Sequence, residues 1–209
     1  MRSTLLIVLL TALSRLIEQH KQYVRTGKAR PEANGYNAQN RSGRRMFQAA
    51  QLRAAGKAEQ YAELAEQARG LLHGEHDRIA NAANFAALVY QALPDLNWAG
   101  FYFFDGNELV VGPFQGRPAC VRIALGRGVC GTAAQTRQTQ VVRDVHAFPD
   151  HIACDAASRS EVVVPLYDGD RLIGVWDVDS PKLARFDEDD RVGMERLAAV
   201  FMDSMRGAI

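Results

Sequence analysis

Two strand-like runs interrupted by Asp-Gly turns constrain this chain more than any other feature. Trp98 to Phe104 and Glu108 to Val111 are rich in aromatic and β-branched residues and are split by Asp105-Gly106-Asn107, residue types suited to a hairpin turn. Glu161 to Tyr167 and Arg171 to Asp179 repeat the pattern around Asp168-Gly169-Asp170. Shorter strands are expected at Ala119 to Ile123 and Thr139 to Val142, with an irregular segment from Asp144 to Ser160. Two helical patterns flank the strands. Glu75 to Leu93 puts Ile79, Ala82, Ala83, Ala86, Val89 and Leu93 on one stripe and stops at Pro94. Asp187 to Met205 puts Val192, Leu197, Ala198, Phe201 and Met205 on one side. Helix, antiparallel strands, then helix predicts an α+β fold, a central antiparallel β-sheet flanked by helices, of roughly 150 residues.

With 209 residues the chain is longer than such a domain needs, and charge divides it. Residues 1–57 hold eleven Lys/Arg against two Asp/Glu, whereas residues 58–209 hold fourteen against twenty-two. Residues 25–57 offer little to bury and read as linker or disorder, so residues 1–57 are expected to be a basic extension and residues 58–209 the folded domain. The run from Thr4 to Leu13 has the length of a secretory h-region, with Ala12-Leu13-Ser14 as a small-residue cleavage site. The alternative is a short helix, or upstream sequence read from a misassigned start, with Met46 as an internal start. No apolar run reaches the roughly eighteen residues of a membrane span. The basic residues could contact nucleic acid or anionic lipid, but no aromatic residues interleave with them as a single-strand reader needs, and no nucleic-acid partner is expected. Three cysteines are too few for a disulfide-stapled fold, so a reducing compartment is the default.

Four features bear on chemistry. Gly126-Arg127-Gly128-Val129-Cys130-Gly131 matches the dinucleotide fingerprint, but antiparallel hairpins surround it and no parallel crossover follows. It reads as a tight turn opening a helix, whose free amides could hold a small anion. His146, His151 and Cys154 invite a zinc reading, yet a structural site needs four ligands in recognisable pairs, and no metal is expected. Asp177 and Asp179 lie two apart on a strand and share a face. If the turn pairs Tyr167 with Arg171, Glu161 lies opposite Asp177, and any nearby register gathers all three acids on that face. Such a cluster is either a solvated outer face or a site that binds a cation or keeps a carboxyl protonated. Cys154, in the irregular segment before those acids, is either an inert thiol or a reactive one. Asp155 beside it would raise its pKa, so activation would need a helix amino terminus, His151 or substrate. Two further cysteines suggest a redox pair, without saying which partners Cys154.

Longer strings narrow the choice. They include Asn97-Trp98-Ala99-Gly100-Phe101-Tyr102, Gly112-Pro113-Phe114-Gln115-Gly116, Ala119-Cys120-Val121-Arg122-Ile123, the Gly126–Gly131 loop and Val145-His146-Ala147-Phe148-Pro149-Asp150-His151-Ile152-Ala153-Cys154-Asp155. Glu161-Val162-Val163-Val164-Pro165-Leu166 and Gly174-Val175-Trp176-Asp177-Val178-Asp179-Ser180-Pro181 complete the set. Together they resemble the free methionine-R-sulfoxide reductase family, built on a GAF domain, over roughly Tyr61 to Met205.

The resemblance implies reduction of free L-methionine-(R)-S-oxide to L-methionine. It implies Cys154 as nucleophile, Cys120 as the resolving thiol, and Cys130 as a secondary or dispensable thiol. Glu161, Asp177 and Asp179 would line the pocket, Glu161 and Asp179 being the expected proton donors and Asp177 a substrate contact. Trp98 and Tyr102 would surround the methyl group. No bound cofactor is implied; thioredoxin is the reductant and a homodimer the assembly, and the reducing compartment that the cysteine count favours is expected to be the cytoplasm. The physical fit is direct: carboxylates suit an ammonium, loop amides a carboxylate and an aromatic wall an S-methyl group. The rival expectation is a non-catalytic GAF module that senses a small molecule or redox state.

Overall fold

Residues 98–104 form strand β1 with the bounds that their aromatic run predicts (Trp98–Phe104). The computed structural model describes residue 47, residues 49–150 and residues 155–209. The apolar run from Thr4 to Leu13, the basic stretch as far as Met46, His151 and Cys154 lie outside the described residues. The remaining strands are β2 (Leu109–Gly116), β3 (Arg122–Ile123), β4 (Gln140–Val142), β5 (Ser160–Asp168) and β6 (Arg171–Ser180). Among the described residues the helices are α1 (Lys57–Leu72), α2 (Arg78–Ala92), α3 (Gly128–Thr136) and α4 (Glu188–Arg206), with one 3-10 turn at Val145–Ala147. The six strands of the described residues join one antiparallel sheet in the order β3-β2-β1-β6-β5-β4.

Strand β2 runs on to Gly116, past the predicted end at Val111. The ladder to β1 shifts between Gly100 and Tyr102, which pair with Phe114 and Val111. Gly112 and Pro113 occupy that irregularity, where a proline withholds no ladder hydrogen bond. The β5–β6 register also differs from the expected one. The turn is Gly169-Asp170, closed by Asp168 opposite Arg171, and a second shift follows between Leu166 and Tyr167. Glu161 therefore pairs with Asp179, not Asp177, and Asp177 pairs with Val163. All three acids still share a face, because the turn and the shift each displace the register by one and a two-residue displacement preserves strand alternation.

Alternation along the strands separates two cores. Ala99, Phe101, Phe103, Val162, Val164, Trp176 and Val178 face a core built with α1, α2 and α4. Phe85 of α2 sets its ring edge-on to Trp176 at 5.0 Å, and Phe101 meets Phe201 of α4 at 4.4 Å. Trp98, Tyr102, Val163 and Val175 face the other way, toward α3.

The helix stripes differ from expectation in detail. Ile79 and Val192 are 52% exposed, and Ala83 is exposed too, while Phe85, absent from the expected stripe, is fully buried. The largest apolar side chain sets which face of α2 docks, and Ile79 then falls to the flank. The sequence reading assigns no element to α1, yet Tyr61, Leu64, Ala65, Ala68 and Leu72 are buried at helical spacing. Helices α1 and α4 are pinned together at Asp190, which is 1% exposed. Its carboxylate accepts from Tyr61 Oη at 2.8 Å, Lys57 Nζ at 2.7 Å and Arg185 Nη1 at 2.9 Å. Asp190 also closes a capping box with Asp187 at the start of α4.

Candidate active site

The alternation that buries Phe101 and Trp176 on one face sends Trp98, Tyr102, Glu161, Asp177 and Asp179 to the other. Pairing of β1 with β6 sets Trp98 opposite Asp179 and Gly100 opposite Asp177. Gly100 is required here: a Cβ would sit 2.3 Å from Phe114 Cβ and 2.6 Å from Trp98 Cη2. Its absence lets the Trp98 indole stack between Phe114 at 5.2 Å and Tyr102 at 5.8 Å. Trp98 Nε1 donates to the Arg117 carbonyl at 3.2 Å, which holds the ring as a fixed wall.

Helix α3 closes the site from above. The glycine-rich stretch is a turn and helix start: Gly126 N–H donates to the Gly131 carbonyl at 2.8 Å, and Gly126 has a φ of 78°. Gly131 lies so close to the Ala124 carbonyl that a Cβ would approach to 2.3 Å. The first turn of α3 thus carries Cys130 down onto the acids. Cys130 Sγ donates to Asp177 Oδ2 at 3.3 Å and lies 4.0 Å from Glu161 Oε1.

Between these parts lies a cleft with about 520 Å³ of empty space, including its solvent-facing mouth. Trp98, Tyr102, Ile123 and Val129 supply apolar lining, Glu161, Asp177 and Asp179 the acidic floor, and Arg127 and Gly128 the amino-terminal end of α3. Asp155 and Ser158 line it from the loop before β5. That loop is tethered: Asn97 Nδ2 donates to Ser158 Oγ at 2.9 Å and to Asp155 Oδ2 at 3.1 Å, and Arg117 pairs with Asp155 at 3.5 Å.

Burial governs the ionisation of the floor. Asp177 is pushed up from its ordinary 3.8 to about 7 by loss of solvent, against the opposing effect of hydrogen bonds with Cys130 and Glu161. Glu161 is held well above the usual carboxylate range by burial and then by the charges of Asp177 and Asp179. Asp179 is raised in the same direction, again mainly by burial, with Asp177 and Asp155 adding to it. The Cys130 thiol is driven upward by burial and by the Asp177 and Glu161 carboxylates, so it stays protonated. Asp155 moves the other way, held low by the Ala157 amide and Asn97. Near neutral pH the floor therefore offers both protonated carboxyls, able to donate, and carboxylate charge, able to accept a cation. Asp177 Oδ1 is buried without a hydrogen-bond partner, an oxygen that a ligand could satisfy.

Of the residues singled out by sequence, the cleft brings together Trp98, Tyr102, Cys130, Glu161, Asp177 and Asp179. Cys120 is half-buried in the segment between β2 and β3, beside Ala119, which lines the cleft. Cys154 lies outside the described residues, and its neighbour Asp155 lines the cleft. His146 is exposed on the 3-10 turn. Among the described residues, the group with donor atoms close enough to hold a metal is Cys130, Glu161 and Asp177. Sequence reasoning missed Asn97, Arg117 and Ser158; Asn97 directly before the Trp98 strand was the available signal.

Comparison with known proteins gives one consistent picture. The GAF domain model matches residues 59–204. The free methionine-R-sulfoxide reductase of Escherichia coli is 51% identical over 68% of this chain and 87% of its own length. The structure of free methionine-R-sulfoxide reductase from Neisseria meningitidis in complex with its substrate is 45% identical, covers 78% of this chain and 98% of that one, and superposes with a TM-score of 0.74. A Burkholderia vietnamiensis structure named for a GAF sensor protein is 74% identical over 73% of this chain and 99% of that one, with a TM-score of 0.70.

Proposed function

The chain belongs to the free methionine-R-sulfoxide reductases, proteins built on a GAF domain, and on that premise we propose that it reduces free L-methionine-(R)-S-oxide to L-methionine. The observation that carries this reading is the trio of carboxyls, Glu161 and Asp177 buried and Asp179 half-buried, at the floor of a cleft walled by Trp98 and Tyr102. A free amino acid needs a carboxylate for its ammonium and amide donors for its carboxylate. The floor and the first turn of α3 supply these, and the stacked aromatics supply an apolar wall for the S-methyl group.

In the proposed cycle the Cys154 thiolate attacks the sulfoxide sulfur while a protonated carboxyl of the Glu161/Asp179 pair donates to the sulfoxide oxygen. That proton is needed because the oxygen is otherwise a poor leaving group. Asp177 holds the substrate. The sulfoxide S–O bond then breaks as the protonated oxygen transfers to Cys154 Sγ and the transient bond between the two sulfurs is released, so methionine departs and Cys154 is left as a sulfenic acid. The Cys120 thiol condenses with it, releasing water and forming a disulfide, and thioredoxin reduces that bond by exchange. Cys130 serves as a secondary thiol. No bound prosthetic group takes part. The working assembly is a homodimer in the cytoplasm. Among the described residues no helix is long and apolar enough to cross a membrane, which is compatible with that location.

The test is thioredoxin-coupled NADPH oxidation with the free R epimer, the free S epimer and a peptide-bound sulfoxide. Turnover confined to the free R form is expected. Absence of turnover with all three, from folded protein with titratable thiols, would replace this reading with the sensor one.

A further inference from the structure

We propose that Cys130, Glu161 and Asp177 form a site for a zinc-class divalent cation, and that the ion and the amino-acid substrate exclude one another. The exclusion rests on the functional reading above; the metal site itself does not.

Three observations carry it. The first is spacing. Zinc binds thiolate sulfur at about 2.3 Å and carboxylate oxygen at about 2.0–2.2 Å, so a tetrahedral set keeps its sulfur and oxygen donors roughly 3.5 Å apart. Cys130 Sγ stands 3.3 Å from Asp177 Oδ2 and 4.0 Å from Glu161 Oε1, and the three donor atoms lie within 4.8 Å of one another. The second is an unmet valence: Asp177 is 6% exposed and its Oδ1 has no partner. The third is access. All three residues line the cleft, so an ion can enter and a water can take the fourth position, the arrangement of an open rather than a closed zinc site. One thiolate and two carboxylates form a borderline-soft donor set, which favours zinc or cobalt over calcium or magnesium.

On binding, the metal replaces the proton on Cys130 Sγ and any proton held by the two carboxyls, and those protons pass to the buffer. The ion then sits where the substrate ammonium would meet Asp177, so free zinc acts as a competitive inhibitor of turnover.

The experiment titrates Co2+ into the full-length, reduced protein and follows the near-ultraviolet thiolate-to-cobalt charge-transfer absorption. One equivalent should produce the band in the parent, in Cys120→Ser and in Cys154→Ser, and Cys130→Ser should abolish it. Asp177→Asn and Glu161→Gln should each weaken Co2+ binding by about tenfold or more, an arm that stands even if Cys130→Ser does not fold. Free methionine sulfoxide added to the Cys154→Ser protein should bleach the band. No band, or a band that survives Cys130→Ser or disappears with Cys154→Ser, overturns the site. A band that methionine sulfoxide leaves intact overturns the exclusion. A protein that turns over the sulfoxide when metal-free yet develops no band on Co2+ addition would sink this inference and leave the reductase reading intact. The band without any turnover would do the reverse.

Discussion

Glu161 and Asp179 are paired residues on adjacent antiparallel strands, both with carboxyls raised by burial, and Asp177 lies on the same face one pleat away. Like charges opposed across a sheet weaken it, and buried carboxyls weaken it further unless they hold protons. The fold tolerates this cluster at a cost in stability.

Replacing Asp177 with Asn should therefore stabilise the protein. With a native pKa of about 7 against an ordinary 3.8, the folded chain holds a proton that the unfolded chain releases between those values. Stability from this group is full below the lower value and is lost as pH rises through about 7. Thermal unfolding of the parent should show that decline, and Asp177→Asn should flatten it. At pH 8 the variant should melt roughly 2–8 °C higher, corresponding to about 1–2 kcal/mol, with substrate binding impaired.

Thiol substitutions separate chemistry from recycling. Cys154→Ser should abolish turnover. Cys120→Ser should complete one stoichiometric reduction and accumulate a sulfenic acid that dimedone labels, while thioredoxin-driven turnover falls steeply. Mass spectrometry after a single addition of substrate reads both outcomes, and full recycling by Cys120→Ser would reject the resolving role.

The wall can be tested through Trp98. Trp98→Ala removes the ring stacked on Tyr102 and Phe114 and should raise KM about tenfold or more, in keeping with roughly 1.5–3 kcal/mol for burying a large apolar side chain. Trp98→Phe should keep most of the affinity. Steady-state kinetics on both variants, with circular dichroism as a control for folding, decides it.

Asp190 is a stability residue remote from the cleft. Asp190→Ala would leave Arg185, whose side chain is 11% exposed, without the carboxylate it meets at 2.9 Å. A loss of about 3–5 kcal/mol is expected, measured by guanidinium titration, with turnover per folded molecule unchanged.

Much of this fold is legible along the chain because strands advertise themselves locally. Trp98 to Phe104 holds five aromatic residues in seven, and the Asp-Gly turns mark both hairpins. Register is not local: the two-residue turn and the shift at Leu166/Tyr167 each displace the ladder by one, so Glu161 faces Asp179 instead of Asp177. Apolar spacing alone places Ile79 and Val192 on buried helix faces, whereas Phe85 and Met194 fill that core. The three acids were readable as a cluster because strand alternation survives such an error. The descent of Cys130 onto them was not, since it depends on how α3 docks across the sheet.

The pinning of α1 to α4 also fixes where attached cargo would emerge. Lys57 at the start of α1 meets Asp187 and Asp190 at the start of α4, and His76 just after α1 reaches Ser204 at the end of α4, so the two helices run in the same direction. Arg206 in turn holds Asp168 at the β5–β6 turn, whereas Glu161 and Asp179 sit at the other end of those strands. A fluorescent protein or affinity handle joined after Ile209 would thus leave from the pole opposite the acids, about seven strand residues or 24 Å away. Such a carboxy-terminal fusion should leave the mouth of the cleft unobstructed.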